Sequence, residues 1–256
     1  MRIGREMAQS RLPFRDPRTV ARDIPGVLDV LIPRLTGGLV GALNKTMFSF
    51  KDIEPLSEEL VGESHLQKAM LFELSMARAE SLLRGDDEPN WDECLQVAAD
   101  RQKRHYDAKI PDHLEQGDMD LASHAALNLV EMLGSIQKQH PDSKLRWSPV
   151  IPGLGWISSG NGDFSLGGIL IEVKHTDRNF MSRDFRQVLM CWLLKYSASI
   201  EHGEDVWTDC ILLNPRRNSA LLFSFDYLLC SASASSNRVE LLELLRSVVG
   251  QDLDRR

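Results

Sequence analysis

The chain has 256 residues, of which 43% are apolar and 26% charged, as in an ordinary soluble globular protein. This length suffices for one large domain or for a core domain with a helical extension. The basic start has no apolar region behind it, which argues against a secretory signal. The longest apolar stretch, roughly residues 27–43, is interrupted by Asp29, Pro33 and Arg34 and is too broken to span a bilayer. We therefore expect a soluble, cytoplasmic protein with no membrane partner.

The net charge of −7 counts against a protein whose whole surface binds nucleic acid. A nucleic-acid enzyme with this balance must concentrate its positive charge locally or rely on a partner. The cysteines are far apart and the seven histidines are dispersed, so neither a zinc site nor a disulfide framework is indicated. The four cysteines are Cys94, Cys191, Cys210 and Cys230.

The first half of the chain is predicted to be mainly helical. Proline and glycine breaks leave only short helices before residue 56, and a three- and four-residue apolar spacing then predicts one long helix over residues 57–83. Two further helices are predicted over 91–106 and 119–139, the last ending before Pro141. We assign residues 1–118 to a helical N-terminal extension.

The pattern changes to alternating strands and helices after Pro141. Strands are predicted near residues 145–151, 156–159 and 168–174, then a helix over 182–196, strands over 209–213 and 220–225, and a helix over 238–249. This order predicts an α/β fold in which helices flank a mixed central sheet, with residues 119–256 as the core domain.

One strand of this core ends in charged residues. Side chains alternate along a strand, so residues 169, 171 and 173 share one face while Glu172 and Lys174 project together from the other. Asp163 precedes them across the Gly167-Gly168 turn, close enough to meet Glu172. Two carboxylates at a strand end suit Mg²⁺ or Mn²⁺, and a neighbouring lysine can orient the attacking water and stabilise charge on a phosphate. The trio therefore predicts phosphodiester hydrolysis, although an exposed strand with charged ends is the simpler alternative.

Residues 120–230 resemble the PD-(D/E)XK nuclease superfamily, with its restriction-endonuclease-like fold, through the signature Asp163…Glu172-Val173-Lys174. The resemblance implies a mixed sheet flanked by helices and divalent-metal cleavage of DNA or sometimes RNA. It also implies Asp163 and Glu172 as metal ligands, together with the backbone carbonyl of Val173, and Lys174 as the residue that positions water.

Two further catalytic candidates follow from this resemblance. Family members often use a glutamate from the helix before the first core strand, and Glu131 lies in a polar stripe on the predicted helix 119–139, which could equally be a solvated face. Exonuclease-like branches carry Gln-x-x-x-Tyr on the helix after the lysine strand. Here Gln187 is followed at the fourth place by Cys191, which puts that branch in doubt but keeps Gln187 as a candidate.

A local cluster of basic residues around the motif would allow nucleic-acid binding despite the net charge of −7. The candidate nucleic-acid-binding residues follow directly after the motif, and an ordinary mixed surface is the alternative. They are His175, Arg178, Arg183 and Arg186, with Lys195, Arg216 and Arg217 adding charge in the same half.

The leading hypothesis is a Mg²⁺-dependent nuclease that acts on DNA as one subunit of a bacterial phage-defence or restriction system. Protein partners are implied because the chain has neither a P-loop nor a recognisable sequence-reading module. The alternative from another class is a non-catalytic subunit that keeps the nuclease fold as a binding or assembly platform. Hydrolysis of small phosphorylated molecules is disfavoured, since Gly160-Asn161-Gly162 is the sole candidate for a phosphate-cradling loop.

Overall fold

A computed structural model describes residues 15–23, 26–103, 108–233 and 237–254. The helices are α1 (Pro17–Asp23), α2 (Val27–Leu31), α3 (Gly37–Asn44), α4 (Glu58–Glu63), α5 (Lys68–Arg84), α6 (Trp91–Gln102), α7 (Gln116–Gln139), α8 (Ser182–His202), α9 (Phe225–Ala232) and α10 (Arg238–Asp254). The strands are β1 (Leu145–Trp147), β2 (Val150–Ile151), β3 (Gly160–Asn161), β4 (Phe164–Leu166), β5 (Ile169–Val173), β6 (Asp209–Asn214) and β7 (Ser219–Ser224).

A five-stranded mixed sheet forms the centre of the fold. Its strand order is β1-β4-β5-β6-β7, and β5 pairs with β6 in parallel while the other neighbours are antiparallel. The parallel pair is connected through α8, because parallel neighbours need a long crossover. Strands β2 and β3 form a separate two-stranded ribbon. The predicted mixed α/β fold, with helices flanking a central sheet, is confirmed.

The two faces of the sheet pack against different helices. Ile169, Ile171 and Val173 of β5 join one apolar cluster with the buried face of α7. Leu170, which points the other way, joins a second cluster with α8. The alternation predicted for this strand is therefore confirmed, and it places residue 172 on the α8 side of the sheet.

The N-terminal elements pack directly against these layers. Buried residues of α1, α2 and α3 belong to the same apolar cluster as α8. Helices α5 and α6 pack with the start of α7 in a third cluster. The predicted boundary between residues 118 and 119 lies in the first turn of α7.

Two predicted elements differ from the structure. The single helix predicted over 57–83 is wrong, since α4 and α5 are separated where Ser64 Oγ and the His65 N–H donate to Asp118 Oδ1 at 2.7 and 3.2 Å. The strand predicted over 156–159 is wrong, because only isolated bridges of Ile157 occur there. The predicted helix end at 106 lies outside the described residues. Helix α9 was not predicted.

Across the described ranges, no helix combines the length and apolarity needed to traverse a bilayer.

Candidate active site

The sheet register brings the two predicted metal-ligand carboxylates together. Strands β4 and β5 are antiparallel with Phe164 opposite Ile171, so Asp163 lies opposite Glu172 on the same face. Both side chains are buried, with residue exposures of 9% for Asp163 and 1% for Glu172. The predicted meeting of these two residues is confirmed.

Lys174 and Gln187 complete a hydrogen-bonded group around Glu172. The Lys174 Nζ donates to Glu172 Oε1 and to Gln187 Oε1, each at 2.9 Å. The Gln187 side-chain amide donates in turn to Glu172 Oε1. Gln187 reaches this position from the first half of α8, and its side chain is buried. The structure therefore joins three of the predicted site residues in one contact group.

Asp163 is held by the backbone of the neighbouring strand and by an arginine from α1. Its Oδ2 accepts the Val173 N–H at 2.7 Å, and its Oδ1 accepts Nη2 of Arg18 at 2.6 Å. The same Nη2 lies 3.7 Å from Glu172 Oε1. One guanidinium nitrogen thus contacts both carboxylates. Coordination by the Val173 carbonyl stays a prediction.

The surroundings shift the pKa values of the two carboxyls in opposite directions. Burial, and then the Glu172 carboxylate, raises the pKa of Asp163. Burial also works to raise the pKa of Glu172, but Lys174 and Arg18 outweigh it, and that pKa is lowered. Glu172 is therefore the group that stays ionised most firmly, while the charge on Asp163 depends on its neighbours.

One oxygen of the pair is buried without a partner. Glu172 Oε2 is shielded from solvent and accepts no hydrogen bond from the described residues. The neighbouring Asp163 carboxyl is nevertheless close enough to hydrogen-bond to Glu172 when it carries a proton. In the described ranges, no group of three His, Cys, Asp or Glu side chains is arranged to hold a metal. Two carboxylates are nevertheless enough for Mg²⁺, which usually keeps several waters and takes further oxygens from substrate phosphates. The unpartnered oxygen and the hard-oxygen pair fit such an ion.

Glu131 lies apart from this group. It is exposed on α7, and no ion pair or hydrogen bond is described between it and Asp163, Glu172 or Lys174. A different glutamate, Glu73 on α5, interacts electrostatically with the site. Burial raises the pKa of Glu73, Arg101 works to lower it, and the negative charge of Asp163 raises it further. Glu73 also lies 3.7 Å from Arg101 of α6.

The predicted basic residues are only partly free to contact a ligand. Arg178 pairs with Asp184 at 3.1 Å, and Arg186 pairs with Asp29. Arg183 is exposed, and no ion pair is described for it. His175 is half-buried with an unpartnered Nε2, and burial together with Arg216 lowers its pKa to about 4. His175 is therefore neutral at physiological pH and adds no positive charge.

Sequence reasoning missed Arg18 and Glu73. Asp16 and Pro17 form a recognisable helix start, since Asp16 Oδ1 accepts the Thr19 N–H at 3.0 Å and proline suits the first helical position. That signal locates α1 but not its place against α8. Glu73 lies on a helix that the pattern did predict, and only the packing of α5 brings it near Asp163.

Comparisons of the chain with protein-family models, curated proteins and solved structures found no match. The function is therefore inferred from the geometry of the site and from the Asp163…Glu172-Val173-Lys174 motif.

Proposed function

We propose that the protein is a divalent-metal-dependent nuclease with a restriction-endonuclease-like core, which hydrolyses phosphodiester bonds in DNA. The observation that carries this proposal is that Asp163, Glu172 and Lys174 meet in one largely buried group. Within it Glu172 Oε1 accepts from Lys174, while Glu172 Oε2 has no hydrogen-bond partner among the described residues. A purely structural ion pair gains nothing from such an oxygen, because an unpaired buried polar atom costs free energy.

Each residue of the group has a distinct role in this mechanism. Asp163 and Glu172 would hold Mg²⁺ or Mn²⁺, which when bound polarises a phosphodiester and lowers the pKa of a coordinated water. Lys174 orients the attacking water and stabilises the negative charge that develops on the phosphate. Gln187 accepts from Lys174 and thereby fixes the direction of its ammonium group.

The wider setting of the reaction follows from what the chain contains. The mixed sheet flanked by helices agrees with the architecture that the PD-(D/E)XK resemblance implies. The sequence has no P-loop and a net charge of −7, so translocation and much of the DNA binding would come from other proteins. We therefore propose a nuclease subunit of a bacterial defence or restriction system.

A second candidate function is a non-catalytic platform with the same fold. The contact of Arg18 with both carboxylates favours it, since a guanidinium can neutralise a buried acidic pair without any metal. A platform would bind its partner equally well with or without divalent ions.

Cleavage assays distinguish the two functions. Wild-type protein, Glu172→Gln and Lys174→Met are incubated with supercoiled DNA, linear DNA and RNA in Mg²⁺, Mn²⁺ or EDTA, with exposed Glu58→Gln as the control. We expect metal-dependent cutting of DNA that falls at least about 100-fold in both site variants and is unchanged in the control. The assays are run at low salt and high protein concentration, so that DNA binding does not depend on a partner. Wild-type protein that cuts no substrate in either metal under these conditions contradicts the enzyme and favours the platform.

A further inference from the structure

Helix α1 puts a positive charge where the candidate site would bind a divalent cation. Arg18 Nη2 lies 2.6 Å from Asp163 Oδ1 and 3.7 Å from Glu172 Oε1. Magnesium binds carboxylate oxygens at about 2.0–2.1 Å, so an ion on these oxygens would compete with the guanidinium for the same lone pairs. The two cations would also repel each other at this short range.

The position of Arg18 depends on a well-anchored segment. The Arg15 N–H donates to the Trp156 carbonyl at 3.3 Å, and the Ser158 N–H donates to the Arg15 carbonyl at 2.9 Å. Asp16 caps the helix that follows, and α1 packs along α8. Arg18 therefore reaches the carboxylates from an ordered element.

We call the arrangement with Arg18 on the two carboxylates closed. In this arrangement two buried polar atoms have no hydrogen-bond partner among the described residues. Arg18 Nε is buried without a hydrogen-bond partner, as is Glu172 Oε2. Only 30% of the Arg18 side chain is exposed. Each unpartnered buried atom raises the free energy of the closed arrangement. An ion that displaced Arg18 would therefore remove both of these unfavourable contributions.

We propose that Arg18 is an internal cation that closes the site in the metal-free protein and leaves it when a divalent metal binds to Asp163 and Glu172. The inference rests on the proposed metal-dependent function and adds its regulation. Because coupling between two ligands is reciprocal, metal binding loosens α1 by as much as α1 weakens metal binding. A partner that captured α1 away from the site would raise the affinity for metal.

Direct measurement of Mn²⁺ binding tests the competition without relying on activity. Free Mn²⁺ is followed by electron paramagnetic resonance in titrations of wild-type protein, Arg18→Gln, Arg22→Gln and Asp163→Asn. Arg22 is the matched control, because it is exposed on the same helix and its substitution removes the same charge. We expect Arg18→Gln to bind Mn²⁺ roughly tenfold more tightly, Arg22→Gln to match wild type, and Asp163→Asn to lose binding.

Amide hydrogen exchange of residues 18–23 provides a second measurement on the wild-type chain. Exchange in α1 should quicken when Mn²⁺ is added, and it should not respond in Asp163→Asn. This readout decides the matter even if Arg18→Gln folds poorly.

The outcomes separate the two proposals. Equal Mn²⁺ affinity in wild type and Arg18→Gln, with binding still lost in Asp163→Asn, overturns the competition and leaves the metal site intact. Slower or unchanged exchange of α1 with Mn²⁺ overturns it too, because Arg18 would then stay in the site beside the bound ion. Absence of Mn²⁺ binding in all four proteins overturns both the inference and the proposed metal-dependent function.

Discussion

Arg18 and Asp163 are 145 positions apart in the chain, and their side chains form an ion pair of 2.6 Å. The pair connects the first described helix to the residue just before β4, and Glu172 lies 3.7 Å from the same nitrogen. The N-terminal region is therefore part of the candidate site's surroundings, and the stability of α1 and the charge of the site are linked.

In EDTA, Arg18→Gln should lower the free energy of unfolding by about 2 kcal/mol. Among the described residues, Lys174 would then be the cation that still pairs with Glu172, and Asp163 would lose its ion pair. Urea denaturation gives the value, and exposed Arg22→Gln should stay within about 0.5 kcal/mol of wild type. A similar loss in both variants would show that net charge, rather than the contact with Asp163, sets the effect.

Gln187→Ala should reduce kcat about 10- to 100-fold with little change in KM. Its amide both accepts from Lys174 and donates to Glu172, so its removal frees the ammonium group to move. The control is Val188→Ala, which removes buried volume from the neighbouring position of α8 without touching these groups. If both variants lose activity in proportion to their loss of stability, Gln187 has only a structural role.

Glu73 and Glu131 should behave differently when each is changed to glutamine. Glu131 is exposed, and we expect Glu131→Gln to cut DNA as wild type does. Glu73→Gln removes a negative charge near Asp163, which should lower the pKa of Asp163 and let Mn²⁺ bind at lower pH.

Titrations of Mn²⁺ affinity against pH measure this shift. If the pH midpoint of Mn²⁺ binding moves in Glu131→Gln and not in Glu73→Gln, then Glu131 on α7 is the glutamate that acts at the site.

The parts of the site that the sequence predicted are local in the chain. Strand alternation was enough to put Glu172 and Lys174 on one face, and the short turn before β5 was enough to bring Asp163 beside them. The position of Gln187 depends on how α8 packs across the sheet, and the resemblance offered this residue only as a candidate, since Cys191 stands where the Gln-x-x-x-Tyr pattern has tyrosine. Arg18 depended on contacts over 145 positions, which no local pattern encodes.

The polar stripe on α7, from which Glu131 was chosen as a catalytic candidate, contains polar residues with different roles. Asn128, in the same stripe as Glu131, is buried and donates to the carbonyls of Glu54 and Pro215 at 2.8 and 3.0 Å. Its polarity serves two loop carbonyls that need donors. Spacing alone does not distinguish such a residue from one that faces an active site.

The stability of the protein should fall on acidification because of His175. Burial and the charge of Arg216 lower its pKa to about 4 from the ordinary 6.5, so between these values the unfolded chain binds a proton that the folded chain does not. Stability is then lost as pH falls from about 6.5 towards 4. At pH 5.0 the loss from this one group should be about 2 kcal/mol.

Replacement of His175 by asparagine isolates this contribution. Urea denaturation at pH 7.5 and pH 5.0 should show a drop in wild type that exceeds the drop in His175→Asn by about 2 kcal/mol. The control His113→Asn changes an exposed histidine and should keep the wild-type drop. Equal drops in all three proteins would mean that His175 takes up its proton in the folded state as easily as in the unfolded one, which its burial beside Arg216 opposes.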